Sequence, residues 1–128
     1  MSLGLLRRAA EVDVNAAYFT GSEVACHCCG EVLIDLHALQ CLDALRAALD
    51  RPLHVVSGYR CPEHNASVGG APRSYHMRGM AFDVRCERGR MGEFVAVARE
   101  AGFVGIIMYP KQSFVHVDTR ETPFFQIR

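Results

Sequence analysis

His76, Asp83 and His116 are the residues of this chain whose types and spacing could do chemistry. The first two lie in Ser74-Tyr75-His76-Met77-Arg78-Gly79-Met80-Ala81-Phe82-Asp83, and the third opens the downstream His116-Val117-Asp118. Two imidazoles and a carboxylate make an N/N/O donor set for one divalent metal. Three protein ligands leave a fourth zinc position free for water, as in catalytic sites, whereas closed structural sites use four ligands, mostly thiolates. If the three residues converge, the chemistry they imply is hydrolysis.

Strand periodicity says how they could converge. In a strand over Phe114–Asp118, Val115 and Val117 point one way and Phe114, His116 and Asp118 the other. In a strand over Ala81–Arg85, Phe82 and Val84 face the core, leaving Ala81, Asp83 and Arg85 on the opposite face. The polar residues therefore sit on a cleft side, away from the apolar packing layer. Gly79 and Ala81 are small enough to let His76 approach Asp83.

The remaining elements form the support. Asp35 is an N-cap for a helix to Leu49, with Leu39, Leu42, Leu45 and Leu49 at helical spacing. Pro52 ends it, and Leu53-His54-Val55-Val56 reads as a short buried strand. Prolines and glycine pairs make 58–74 a loop with one helical turn over Pro62–Val68. A second helix runs over Met91–Ala101, with Phe94, Val95, Ala98 and Ala101 inward and Gly102 at C′. Val104–Met108 and Phe114–Asp118 then pair as a hairpin across the 109–113 turn. Upstream, 1–16 reads as a short amphipathic helix (Leu5, Leu6, Ala9, Ala10) and Tyr18–Gly30 as a loop. The expected architecture is one α+β domain over 1–128: a small antiparallel sheet carrying the cleft, flanked by two or three helices.

Bulk properties narrow the class. At 128 residues the chain can bury a core without disulfide staples. Its 14 Lys and Arg balance 14 Asp and Glu, so no basic field points to nucleic acid or an anionic membrane. No apolar run approaches a membrane span. Arg7 and Arg8 follow the Leu patch rather than preceding it, the wrong order for a signal peptide, so the chain is expected to be cytoplasmic as synthesised. That compartment keeps thiols reduced. Cys26 and Cys28 are one residue apart, poor spacing for a zinc ribbon. A metal bound by the Cys26, Cys28, Cys29 loop with Cys41 or Cys61, and a disulfide from the loop to Cys61, both stay open. For these and Cys86, buried free thiols are the favoured reading. Glu63, His64, His37 and His54 read as solvated or structural.

Three ordered motifs carry a resemblance: Ser57-Gly58-Tyr59-Arg60, Ser74-x-His76-x-x-Gly79-x-Ala81-x-Asp83, and Phe114-Val115-His116-Val117-Asp118. Together, over about 18–120, the chain resembles the zinc D-Ala-D-Ala carboxypeptidases, the LAS metallopeptidases, a group that includes murein endopeptidases and phage endolysins. The resemblance makes 1–17 an N-terminal extension. It implies a single zinc ion on His76, Asp83 and His116, and a site arginine, Arg60, that binds substrate or stabilises the oxyanion. Water attacking an amide builds negative charge on the carbonyl oxygen, which a fixed guanidinium can share. Ser74 could bond substrate or a neighbouring group, or simply cap its loop. The implied substrate is the stem peptide or cross-bridge of bacterial peptidoglycan, cut by a monomer in carboxypeptidase or endopeptidase mode. A phage-type release would bring it to the cell wall.

The chain departs from this pattern beside its last ligand. Many relatives carry a Glu three residues before it, where this chain has Ser113. Others carry a His two residues before it, where Phe114 stands. Asp118, on the same strand face as His116, is the nearest carboxylate: a base, or a group that orients the ligand. The orienting role is favoured, because two places along a strand is far from the metal's open position. The missing base also supports a second reading, a zinc-containing peptide-binding protein without turnover, as the Hedgehog signalling domain reuses this fold. A third reading, a cysteine-based redox or metal-handling protein, makes Cys28 and Cys29 essential and His76 dispensable.

Overall fold

Alternation in three consecutive strands builds the sheet, and two amphipathic helices cover its apolar face. The computed structural model describes residues 7–8 and 18–128. Within the segment expected to be an amphipathic helix, Arg7–Arg8 is instead a short strand, β1, pairing antiparallel with β2 (Glu31–Val32); the rest of 1–16 lies outside the described residues.

The main sheet runs β3-β4-β6-β5-β7, with β3 Val55–Ser57, β4 Ala81–Arg85, β5 Gly105–Tyr109, β6 Phe114–Asp118 and β7 Phe124–Ile127. All neighbours are antiparallel except β5 and β7, which run parallel. Phe82, Val84, Val115, Val117 and Ile106 are buried on one face, the alternation expected from the sequence. Helix α2 (Leu36–Leu49) buries Ala38, Leu39, Cys41, Leu42 and Leu45 there, and helix α4 (Met91–Ala101) adds Met91, Phe94, Val95 and Ala98. Both ends of α2 follow local chemistry. The Asp35 carboxylate accepts from the His37 amide at 3.1 Å, and Asp50 closes the helix in the left-handed region. Gly102, at φ 114, closes α4.

Three expectations need correction. The 18–30 segment is not all loop: α1 (Gly21–Val24) starts at Thr20, whose amide donates to the Glu23 carboxylate at 2.9 Å. Thr20-x-x-Glu23 is a capping-box pattern. Strand β3 begins two residues late, at Val55, where pairing to Val84 starts, and a bulge separates that pair from Ser57–Asp83. Strand β7 was not expected. It follows Pro123 and returns along the far side of β5 with Phe124, Phe125, Gln126 and Ile127 all exposed, so no alternation marks it. The turn over Pro62–Val68 is the short helix α3 (Pro62–Ser67), with proline at its first position. Among the described residues no helix is long and apolar enough to cross a membrane.

Candidate metal centre and cleft

Sheet register brings the first two groups together. Asp83 on β4 stands directly opposite His116 on β6, and Ala81 opposite Asp118. Because Phe82 and Val117 point into the core, Asp83 and His116 must emerge on the other face, side by side.

His76 arrives from a different kind of element, a 3-10 turn over Tyr75–Arg78. The Ser74 hydroxyl starts the turn by accepting from the His76 amide at 3.2 Å. Gly79 ends it at φ 69, where a β-carbon would press against the Leu33 carbonyl oxygen. A side chain at Gly79 would be both strained and in collision with backbone.

The three groups meet. His76 Nε2 lies 3.2 Å and His116 Nδ1 3.0 Å from the same Asp83 oxygen, Oδ1. The ligand atoms all fall within 4.8 Å of one another, and all three residues are buried. The far sides of both rings are also engaged. His76 Nδ1 is 2.7 Å from the Gly58 carbonyl, and His116 Nε2 is 2.7 Å from Asp118 Oδ2. A carbonyl and a carboxylate only accept, so those ring nitrogens donate. In the neutral rings His76 Nε2 and His116 Nδ1 are then left with lone pairs aimed at a carboxylate oxygen. Such an arrangement repels itself unless a proton or a cation lies inside it, and the donor set and burial fit zinc.

The electrostatics agree. Burial opposes charge on Asp83, but His76 and His116 outweigh it and hold its carboxyl well below the usual range. Burial also works against protonating His116, yet hydrogen bonds to Asp118 and Asp83 raise its pKa. Asp118 is fully buried, and its pKa too is lowered against burial, first by Arg120 and then by His116.

Arg60 is fixed at the other oxygen of the same carboxylate. Its Nη2 donates to Asp83 Oδ2 at 3.0 Å, Nε to Ser57 Oγ at 3.0 Å, and Nη1 to the buried Asn65 Oδ1 at 3.4 Å. Asp83 thus turns one oxygen to the histidines and the other to a guanidinium. Asp118 faces the back of His116, and Arg120 clamps it through Nε at 2.8 Å, Nη2 at 2.6 Å and its backbone amide at 3.0 Å. Both Asp118 oxygens are occupied in this way. The clamp crosses Gly105 so closely that a β-carbon there would collide with it.

A cleft of about 440 Å³ opens over the centre. Arg60, Arg73, Arg120 and Arg128 line it, together with Ser74 and an aromatic wall. In that wall Phe114 stacks on Tyr109 with ring centroids 4.3 Å apart. Ser113 is in the left-handed turn, at φ 59. Asp83 is the sole carboxylate among the described residues that line the cleft. His64 lies outside it with its ring tilted against His27, at 6.0 Å between centroids, while Glu63, His37 and His54 are exposed.

Arg120, Asn65 and the Gly58 carbonyl did not emerge from the sequence. Continued strand alternation past Asp118 would have put Arg120 on the face of His116, the one signal available. Nothing local marks a carbonyl as a histidine partner.

A model of the peptidase M15 family matches residues 17–118. The chain is 37% identical over 76 residues to the peptidoglycan L,D-endopeptidase MepK of Escherichia coli K12, covering 54% of this chain and 41% of that protein. A probable peptidoglycan L,D-endopeptidase MepK of Haemophilus influenzae is 35% identical over 72 residues, 52% of this chain and 39% of that one. The chain therefore spans about two fifths of the length of these curated relatives. It belongs to the peptidase M15 family.

Proposed function

We propose that this member of the peptidase M15 family is a zinc-dependent peptidase that hydrolyses amide bonds in peptidoglycan peptides. The observation that carries the reading is the convergence of His76 Nε2, Asp83 Oδ1 and His116 Nδ1 beneath a cleft edged by a fixed arginine. These residues would hold a zinc ion, which would supply Lewis-acid polarisation of a carbonyl and activation of water at neutral pH.

The chain's own residues do the rest. The Gly58 carbonyl and Asp118 hold the two imidazoles in the tautomers that present a lone pair inward. Arg120 keeps Asp118 ionised and in place. Arg60, restrained by Ser57, Asn65 and Asp83, offers a guanidinium to the charge that develops on the substrate carbonyl. Four arginines around one cleft suit a peptide rich in carboxylates, as stem peptides are. The names of the E. coli and H. influenzae relatives favour endopeptidase over D-Ala-D-Ala carboxypeptidase action.

One observation favours a second reading. With Asp83 committed to the histidines and Arg60, no described carboxylate in the cleft is free to act as base. A zinc-containing peptide-binding protein would look the same. Incubation with purified peptidoglycan, followed by mass spectrometry of released fragments, separates the two. Hydrolysis predicts new peptide ends that vanish with chelator and return with zinc. Co-sedimentation without cleavage supports binding alone.

A further inference from the structure

Three cysteines gather on the side of the Arg60 loop away from the cleft, and the mechanism uses none of them. Cys26, Cys29 and Cys61 bring their sulfurs within 4.8 Å of one another. Cys26 and Cys61 are buried, and Cys29 is partly exposed. The pair separated by two residues is Cys26 and Cys29, which is zinc-ribbon spacing, while Cys28 is exposed to solvent. We infer that Cys26, Cys29 and Cys61 form a second, structural site for zinc or another thiophilic divalent ion, distinct from the centre at His76, Asp83 and His116.

Geometry and hydrogen bonding both point to thiolates. Tetrahedral zinc with bonds of about 2.3 Å places its sulfurs about 3.8 Å apart, so a small contraction of the cluster suffices. Backbone amides already point at the sulfurs. The Cys61 amide donates to Cys26 Sγ at 3.4 Å, and the His64 amide donates to Cys61 Sγ at 3.4 Å. Burial opposes charge on Cys26, but the amides of Cys61, Cys29 and Cys28 outweigh it and lower its pKa. At Cys61 the His64 amide favours the thiolate, yet burial and neighbouring Cys26 prevail and push the thiol up to about 12. A dication lets all three release their protons together. The three sulfurs leave a fourth position open, and His27 and His64 are the imidazoles nearest to them in sequence. His27 follows Cys26, His64 follows Cys61 by three residues, and their tilted rings lie 6.0 Å apart.

The consequence is mechanical. Cys61 is the residue after Arg60 and the N-cap of α3, which carries the Asn65 partner of Arg60. Cys26 and Cys29 sit in the turn between α1 and β2. The two segments touch through the Tyr59 amide and the Val24 carbonyl at 2.9 Å. An ion on the three sulfurs staples the Arg60 loop to this turn and keeps the guanidinium at its post.

Cobalt substitution under reducing conditions reads the site directly, since thiolate ligation gives a near-ultraviolet charge-transfer absorption that an N/N/O centre lacks. The reduced protein is expected to show this absorption and one metal ion beyond the one at the histidine centre. His76→Ala should keep the absorption, whether or not the chain proves to be a peptidase. Cys29→Ser, at a partly exposed position, should lower it by about a third or more and weaken metal retention, since one of three thiolates is gone. Absence of the absorption in reduced, cobalt-loaded protein overturns the inference. So does a Cys26–Cys61 disulfide that persists in protein purified under reductant.

Discussion

The cleft has two halves built by different means. Strands β4 and β6 deliver Asp83, His116 and Asp118 through a regular ladder in which each residue's face follows from its parity. The opposite half, Arg60, Ser74 and His76, hangs on loops and a 3-10 turn held by scattered bonds. Among these are the Arg60 amide to the His76 carbonyl at 3.2 Å and His76 Nδ1 to the Gly58 carbonyl at 2.7 Å. The sheet half rests on a continuous ladder, although its partners Asp83 and His116 lie 33 residues apart. The loop half is placed by few, isolated bonds, so substitutions there should disturb catalysis more readily than folding.

Losing the shared carboxylate breaks both halves at once. Asp83→Ala should remove zinc from the centre and lower peptidoglycan hydrolysis by about 10³-fold or more, the worth of several kcal/mol of metal catalysis. Metal analysis alongside turnover checks it, and a variant that keeps both would separate Asp83 from the site. On the loop half, Arg60→Met should lower kcat by about 10²–10³-fold at saturating zinc, as loss of an oxyanion donor does. On the sheet half, Asp118→Asn should weaken zinc binding about 10–100-fold yet leave turnover near normal once zinc is saturating. A large fall in turnover with zinc bound would instead make Asp118 the base.

The smallest expected effect is on pH dependence. The raised pKa of His116 stabilises the metal-free protein below the group's ordinary value of 6.5, and that stability is lost as pH rises through the raised value. Zinc needs the ring neutral, so its contribution has the opposite slope. The difference in Tm between zinc-loaded and metal-free protein should therefore widen as pH rises through this window, and His116→Ala should flatten it.

The same contrast explains what the sequence made legible. Alternation in Ala81–Arg85 and Phe114–Asp118, and the caps at Asp35 and Gly102, are local signals, and the structure follows them. Arg120 carries no such signal, because it acts through Asp118, two residues away on an element whose strand ends there. Gly58 contributes a carbonyl, which carries no residue-type signature. Strand β7 lacks alternation because, as an edge, it buries neither face. The Cys26–Cys61 proximity depends on a contact between α1 and the Arg60 loop that no spacing encodes.

The central claim is that His76, Asp83 and His116 hold one zinc ion with their tautomers set from behind. A crystal structure of the zinc-loaded protein with anomalous data at the zinc edge tests it most directly. The predicted result is a peak about 2.0–2.2 Å from His76 Nε2, Asp83 Oδ1 and His116 Nδ1, with Gly58 and Asp118 still bonded to the outer ring nitrogens. No anomalous peak among these three residues in zinc-saturated crystals, or a peak that engages His116 through Nε2, would contradict it.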